Sequence, residues 1–133
     1  MPIETKLGQF FEKGSILIGE YEFSIRKHGM LGGRWTLDDD GQELIEATKT
    51  SAFTRTFEID APQGRLILQA HGFTSMAFDL NGVDGTPVAK IVPDHIFTRR
   101  STIQVIDHEI DTPTLVFSFW LVTLIWHRQH SSG

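Results

Sequence analysis

Apolar and polar positions alternate over short stretches through most of the chain, then fuse near its end into one continuous run. That run is Pro113 to Trp126, reading P-T-L-V-F-S-F-W-L-V-T-L-I-W, and only Thr114, Ser118 and Thr123 interrupt it after the proline. All three side chains can hydrogen-bond locally. As a helix, fourteen residues span ~21 Å; as one strand they would run ~46 Å. A compact chain of this length has a radius of gyration of about 14 Å, so such a strand would overshoot the domain. A membrane span needs ~20 apolar residues, and the run falls short of that. Length therefore predicts a buried core helix over a strand pair or a tail anchor, despite the β-branched Val116, Val122 and Ile125. Thr112 is the candidate N-cap with Pro113 at the first helical position, and His127 and Arg128 suit the negative end of the helix dipole. Burying ten large side chains at ~1.5–3 kcal/mol each yields about 15–30 kcal/mol gross, so the rest of the fold must wrap this segment.

Before the run, the pattern has the period of strands. Residues 1–14 show little pattern beyond Phe10 and Phe11, which are expected to tack the segment onto the body. Ser15–His28 holds two apolar bursts, Ile16–Ile18 and Tyr21–Ile25; the second alternates at period two, and Gly29, Gly32 and Gly33 end it. A unit then recurs three times: an aromatic-x-aliphatic strand, a turn rich in Asp, Asn, Gly or Pro, and an aliphatic return strand. The copies are Trp35–Leu37 to Leu44–Ile45, Phe57–Ile59 to Leu66–Leu68, and Phe78–Leu80 to Val88–Ile91. Such turns supply the left-handed glycine and side-chain-to-backbone bonds that tight hairpins need. Ser101–Ile106 reads as a last strand and Asp107–Asp111 as the linker into the helix.

The expectation is a mainly β fold: an antiparallel β-meander barrel of about nine to twelve strands around a hydrophobic C-terminal helix, in a single domain over 1–133 with its core at about 15–128. A helix is ~10–12 Å across. Eight-stranded barrels are filled by their own side chains and eleven-stranded ones hold a helix, so nine or ten strands fall between. A helix plugging one open face of a curved sheet is the alternative.

Composition narrows the chemistry. The absence of cysteine excludes disulfides, thiol catalysis and cysteine-ligated zinc, and fits a reducing compartment. No signal peptide opens the chain, so a cytoplasmic protein is expected, with peripheral attachment to a membrane as an option. A net charge of −5 argues against a nucleic-acid binder but leaves room for a local basic patch.

The hairpins with D-x-x-G-like turns in Trp35–Leu44, Phe57–Leu68 and Phe78–Ile91, followed by the apolar Leu115–Trp126 and a short polar tail, resemble the tubby-like C-terminal domains, in particular their LURP-one-related and phospholipid-scramblase branch. The resemblance covers roughly residues 15–128. It implies an antiparallel barrel around a hydrophobic C-terminal helix and a non-enzymatic module that contacts phosphoinositide-like headgroups or a protein partner. The chain is shorter than the usual twelve-stranded member, and it lacks the cysteine-rich segment, the proline-rich arm and the spanning helix of scramblases.

Few residue constellations point to catalysis. Asp38-Asp39-Asp40-Gly41 lacks the EF-hand spacing and reads as a solvated turn. His127 and His130 would give two of the three or four ligands that zinc needs. Asp107-His108-Glu109 with Ser101 or Ser118 has no G-x-S-x-G turn to expose a nucleophile, and Ser118 is expected to bond a carbonyl one turn back. No enzyme activity, cofactor or metal is therefore expected. Two basic clusters remain, Arg26-Lys27-His28 and Arg99-Arg100. By the resemblance, Arg26, Lys27, Arg99 and Arg100 are the candidate lipid-headgroup residues; without a partner they would be solvated strand-end charges that discourage edge pairing. The other function class is a carrier of small apolar ligands like the fatty-acid-binding barrels. It requires an empty interior, which a central helix would remove.

Overall fold

The computed structural model describes residues 3–7, 14–29, 33–49, 55–72, 76–93 and 101–131. Ten strands, β1 (Ile3–Leu7), β2 (Gly14–Ile18), β3 (Tyr21–His28), β4 (Arg34–Asp39), β5 (Gln42–Lys49), β6 (Thr56–Ala61), β7 (Gly64–Ala70), β8 (Phe78–Gly82), β9 (Pro87–Pro93) and β10 (Ser101–Val105), precede one helix, α1 (Thr112–Ser131). The strands pair in chain order, each antiparallel to the next, in a single sheet. The three recurring hairpins are β4–β5, β6–β7 and β8–β9. Among the described residues β1 and β10 do not pair with each other.

Two sequence expectations are corrected. Residues 1–14 contain β1, whose five residues pair with β2 from Ile3↔Ile18 to Leu7↔Gly14. With only two large apolar residues, Ile3-Glu4-Thr5-Lys6-Leu7 carries too weak an alternation to stand out, and it is a strand because β2 supplies the ladder. Phe10 and Phe11 lie outside the described residues. The helix cap also sits one residue earlier than expected. The Asp111 carboxylate accepts the Thr114 amide at 3.0 Å and the Thr114 hydroxyl at 2.7 Å, and its carbonyl accepts the Leu115 amide at 3.2 Å. Thr112 is thus the first helical residue and Pro113 the second. A carboxylate has lone pairs for both bonds and prevails over the neighbouring hydroxyl.

The apolar run does form a helix, twenty residues long. Val116, Phe117, Trp120, Leu121, Val122, Leu124 and Ile125 are buried, and so are Thr114 and Ser118. These positions cover most of the helix circumference, while Leu115, Phe119, Thr123 and Trp126 form a half-buried stripe along the remaining side. The Ser118 hydroxyl donates to the Thr114 carbonyl at 2.8 Å and that of Thr123 to the Trp120 carbonyl at 2.7 Å, which is how the interior tolerates them. One core cluster joins the helix to the inward residues of the strands, among them Ile16, Ile25, Leu37, Phe57, Leu68, Leu80 and Ile91. Trp126 donates its indole N–H to the Met76 carbonyl at 2.9 Å and so pins the helix end to the segment before β8. No helix among the described residues is long and apolar enough to cross a membrane. The length would suffice, but the apolar run stops at Trp126.

Because every strand reverses, the sheet has two distinct ends. The turns at 19–20, 40–41, 62–63 and 83–86 lie at one, together with residues 106–111 and the start of α1. The ends of β3, β5, β7 and β9 lie at the other, together with the starts of β4, β6, β8 and β10 and the C-terminus of α1.

Candidate anion-binding surface

Strand alternation splits the first basic cluster. Phe23 and Ile25 are buried on the helix side, so Lys27 shares that side while Arg26 and His28 stand on the outer one. Arg26 bonds the Asp38 carboxylate and approaches Glu43 at 3.7 Å. His28 meets the Thr36 hydroxyl at 2.8 Å. Next to them Arg34 reaches Glu43 at 2.9 Å and Glu46 at 2.8 Å; these bonds, that to Glu46 first, hold its guanidinium above its ordinary pKa. This lattice of long side chains closes over the outer face of β4. As a result Thr36 and Asp38 are buried there while Trp35 and Leu37 are buried on the other side.

On the helix side the sheet register places Lys27 opposite Trp35, and Trp35 opposite Ala47. The Lys27 Nζ lies 5.7 Å from the Trp35 ring centroid, and Arg128 of the last helical turns lies 5.6 Å from it. Trp35 also meets Phe57 edge-on, with centroids 5.6 Å apart. It is 1% exposed, and its indole Nε1 has no hydrogen-bond partner. Lys49, two residues beyond Ala47, follows on the same side. Sequence reasoning gave Arg128 only the role of complementing the helix dipole. Its position beside Lys27 depends on how α1 docks, which no local pattern encodes.

Among the described residues the turn end is mainly acidic and the other end mainly basic, with Glu43, Glu46 and Glu58 on the strands between. Glu20, Asp39, Asp40, Asp84, Asp107 and Glu109 surround the turn end, where Arg65 is taken up by Asp60 at 2.9 Å. Lys27, His28, Arg34, Lys49, Arg55 and Arg128 are at the other. Acids reach this end too: Glu43 and Glu46 bond Arg34, and Asp79 bonds His71 at 2.7 Å. Arg99 and Arg100 lie outside the described residues; they directly precede Ser101, where β10 starts at this same basic end. The helix dipole runs in the matching sense, with its positive N-terminus among the acids and its negative C-terminus among the bases.

The remaining candidates are not assembled into sites. Asp40 and Gly41 both have positive φ, 50° and 85°, which makes Asp38–Gly41 the end of a hairpin. Ser118 is buried in the helix, and Ser101 sits at the opposite end of β10 from Asp107-His108-Glu109. The side chain of His130 lies outside the described residues. A recess of about 160 Å³ at the turn end is lined by Gln63, Arg65, Leu66, Val88, Asp107 and Ile110, none of them in the Arg26–His28 cluster. Among the described residues no three His, Cys, Asp or Glu side chains come together as metal ligands would. No protein-family model, curated protein or solved structure matches the chain.

Proposed function

We propose that the chain is a non-enzymatic, cytoplasmic module of the tubby-like kind, a short relative of the LURP-one-related and scramblase branch, which docks its basic end against anionic phospholipid headgroups. In this reading the ten strands close into a barrel around α1. Ten strands ~4.8 Å apart and tilted by ~40° would close at a radius of about 10 Å, enough for a helix with its side chains. The burial of α1 over most of its circumference supports such wrapping, and a helix in the interior takes the space that an apolar-ligand carrier would need.

The observation that carries the reading is the segregation of charge. A net charge of −5 would repel an acidic bilayer if it were evenly spread. Among the described residues Glu43 and Glu46 are paired with Arg34 on the outer face. The turn-end carboxylates Glu20, Asp39, Asp40, Asp84, Asp107 and Glu109 lie at the far end of strands of up to eight residues, about 26 Å away at 3.3 Å per residue. The Debye length at physiological salt is ~8 Å, so a surface touching the basic end hardly senses them. Arg26, Lys27, Arg99 and Arg100 are the proposed contacts. Each basic side chain near such a surface contributes about 1 kcal/mol, which makes binding weak and reversible.

Liposome flotation tests this. The protein should float with vesicles containing phosphoinositide at low salt and be released near 1 M, where the Debye length falls to ~3 Å. Replacing Lys27, Arg99 and Arg100 by Ala should abolish the low-salt binding. Binding that survives this triple substitution refutes these contacts, and no phosphoinositide-dependent binding at low salt refutes the lipid reading and favours a protein-interaction scaffold.

A further inference from the structure

We propose that the turn end of the sheet docks a basic segment of a protein partner. One aliphatic side chain of that segment enters the recess between the β6–β7 turn and the 106–111 linker, and flanking Lys or Arg residues meet the carboxylates around it. This surface lies at the opposite end of the strands from the headgroup contacts and stands independently of them.

The recess has the size and lining of a seat for one side chain. Where the linker passes from β10 to α1, Gln63 of the β6–β7 turn reaches the Glu109 carbonyl at 3.5 Å. Beside that contact the recess opens, about 160 Å³ in volume. Leu66, Val88 and Ile110 give it an apolar floor continuous with the core. Small-molecule sites run to ~300–1,000 Å³, so this one has room for a side chain rather than for a whole ligand. Exposed apolar residues extend the floor outward. Val83 follows Gly82, the ladder partner of Leu66, and the Ile106 amide bonds the Val88 carbonyl at 2.8 Å. Val83 is 68% exposed and Ile106 49%. An apolar recess bordered by such residues and rimmed by polar ones is the form that an anchoring side chain fills at an interface.

Charge decides what kind of partner fits. Asp60, Asp84, Asp107 and Glu109 are exposed on the elements that border the recess. Asp84 accepts the Thr86 amide and Asp107 the Glu109 amide, both at 3.0 Å, bonds that orient a carboxylate without neutralising it. The cation in the lining, Arg65, is taken up by Asp60 at 2.9 Å and by Glu58 at 3.8 Å. The positive end of α1 is likewise occupied, since the Asp111 carboxylate accepts the Thr114 amide and hydroxyl. A net negative rim repels nucleic acid and acidic bilayers and steers Lys and Arg toward it. Exposed ion pairs are individually weak, so the apolar anchor and the charges around it must act together.

The test titrates the ¹⁵N-labelled full chain with three capped pentapeptides, Lys-Lys-Leu-Lys-Lys, Lys-Lys-Ser-Lys-Lys and Glu-Glu-Leu-Glu-Glu. The first should shift amide resonances saturably, most of all those of Gly64, Leu66, Val88, Asp107 and Ile110. Ser in place of its Leu should weaken binding by about tenfold or more, the loss of one buried aliphatic side chain. The acidic peptide should not bind. Asp107→Asn with Glu109→Gln keeps the oxygen that accepts the Glu109 amide while removing two charges. It should weaken the Leu-containing basic peptide by about fivefold, the worth of two exposed ion pairs. Absence of a saturable shift, or shifts confined to other parts of the chain, overturns the proposal. So does equal binding of the Ser or the acidic peptide, or binding unchanged in the double variant. If the same amides shift with protein concentration alone, a second copy of the chain is the occupant, and the basic partner is refuted.

Discussion

Asp38 shows how single residues divide structural from functional work. Its carboxylate is 3% exposed on the outer face of β4, where Arg26 is its partner. The Arg26 side chain is 51% exposed, so solvent screens the pair and its net contribution is modest. Removing Arg26 is another matter, because it strands a buried carboxylate. Arg26→Ala is expected to cost about 1–3 kcal/mol in urea denaturation, and Arg26→Met with Asp38→Leu to recover most of it. Arg26 is thus already employed by the fold, and headgroup contact should depend more on Lys27. Asp84 offers a pH probe. The amide and hydroxyl of Thr86 hold its carboxyl below the usual carboxylate range, with the amide at 3.0 Å. A depressed folded pKa contributes stability above the unfolded value and loses it as pH falls through the folded one. Acid titration of the melting temperature should therefore show a smaller drop in Asp84→Asn than in the parent protein.

Among the elements, the helix and the hairpin turns divide the labour of specifying the fold. Trp120 is fully enclosed, and Trp120→Ala should destabilise by ~3–5 kcal/mol, the cost of a large aromatic cavity. Removing the cap is milder: Asp111→Ala should cost about 0.5–2 kcal/mol by thermal or denaturant melting. A chain ending at Asp111 lacks the contents of its own core and should fail to give a cooperative transition. If it folds stably, α1 does not organise the sheet. In the β4–β5 turn Gly41 has φ of 85° with open space around its Cα, so an added methyl meets no atom. Gly41→Ala should therefore cost only the left-handed backbone penalty, about 1–2 kcal/mol.

At the scale of the whole molecule the main feature is polarity. Acids at the turn end and bases at the opposite end give the sheet a dipole along its strands, parallel to the one α1 needs. The turn end also exposes Tyr21, Val83 and Ile106. If the basic end meets a membrane, charge reversal should depend on where it is made. Asp39→Lys with Asp40→Lys changes the net charge by four yet should hardly alter flotation at physiological salt, whereas Lys27→Glu should abolish it. Equal effects of the two changes would mean that net charge, and not its distribution, governs binding.

The sequence by itself determined the elements whose signals are local. Three hairpins could be read because aromatic-x-aliphatic strands and Asp/Gly turns are set by side-chain period and backbone sterics within a few residues. The helix could be read because a run of fourteen residues, eleven of them apolar, is too long for a strand and too short for a bilayer. Ser118 bonding one turn back followed from the same local geometry. The tertiary structure decided what depends on partners distant in sequence. β1 exists through β2, and Asp111 displaced Thr112 as cap because its carboxylate can bond Thr114 twice. That Arg26 and Lys27 part to opposite faces follows from strand alternation and was legible in the sequence, but which of them faces the helix was decided by how the sheet packs. Arg128, about a hundred residues from Lys27, arrives over the same indole because α1 runs the length of the sheet, a juxtaposition that only packing could create.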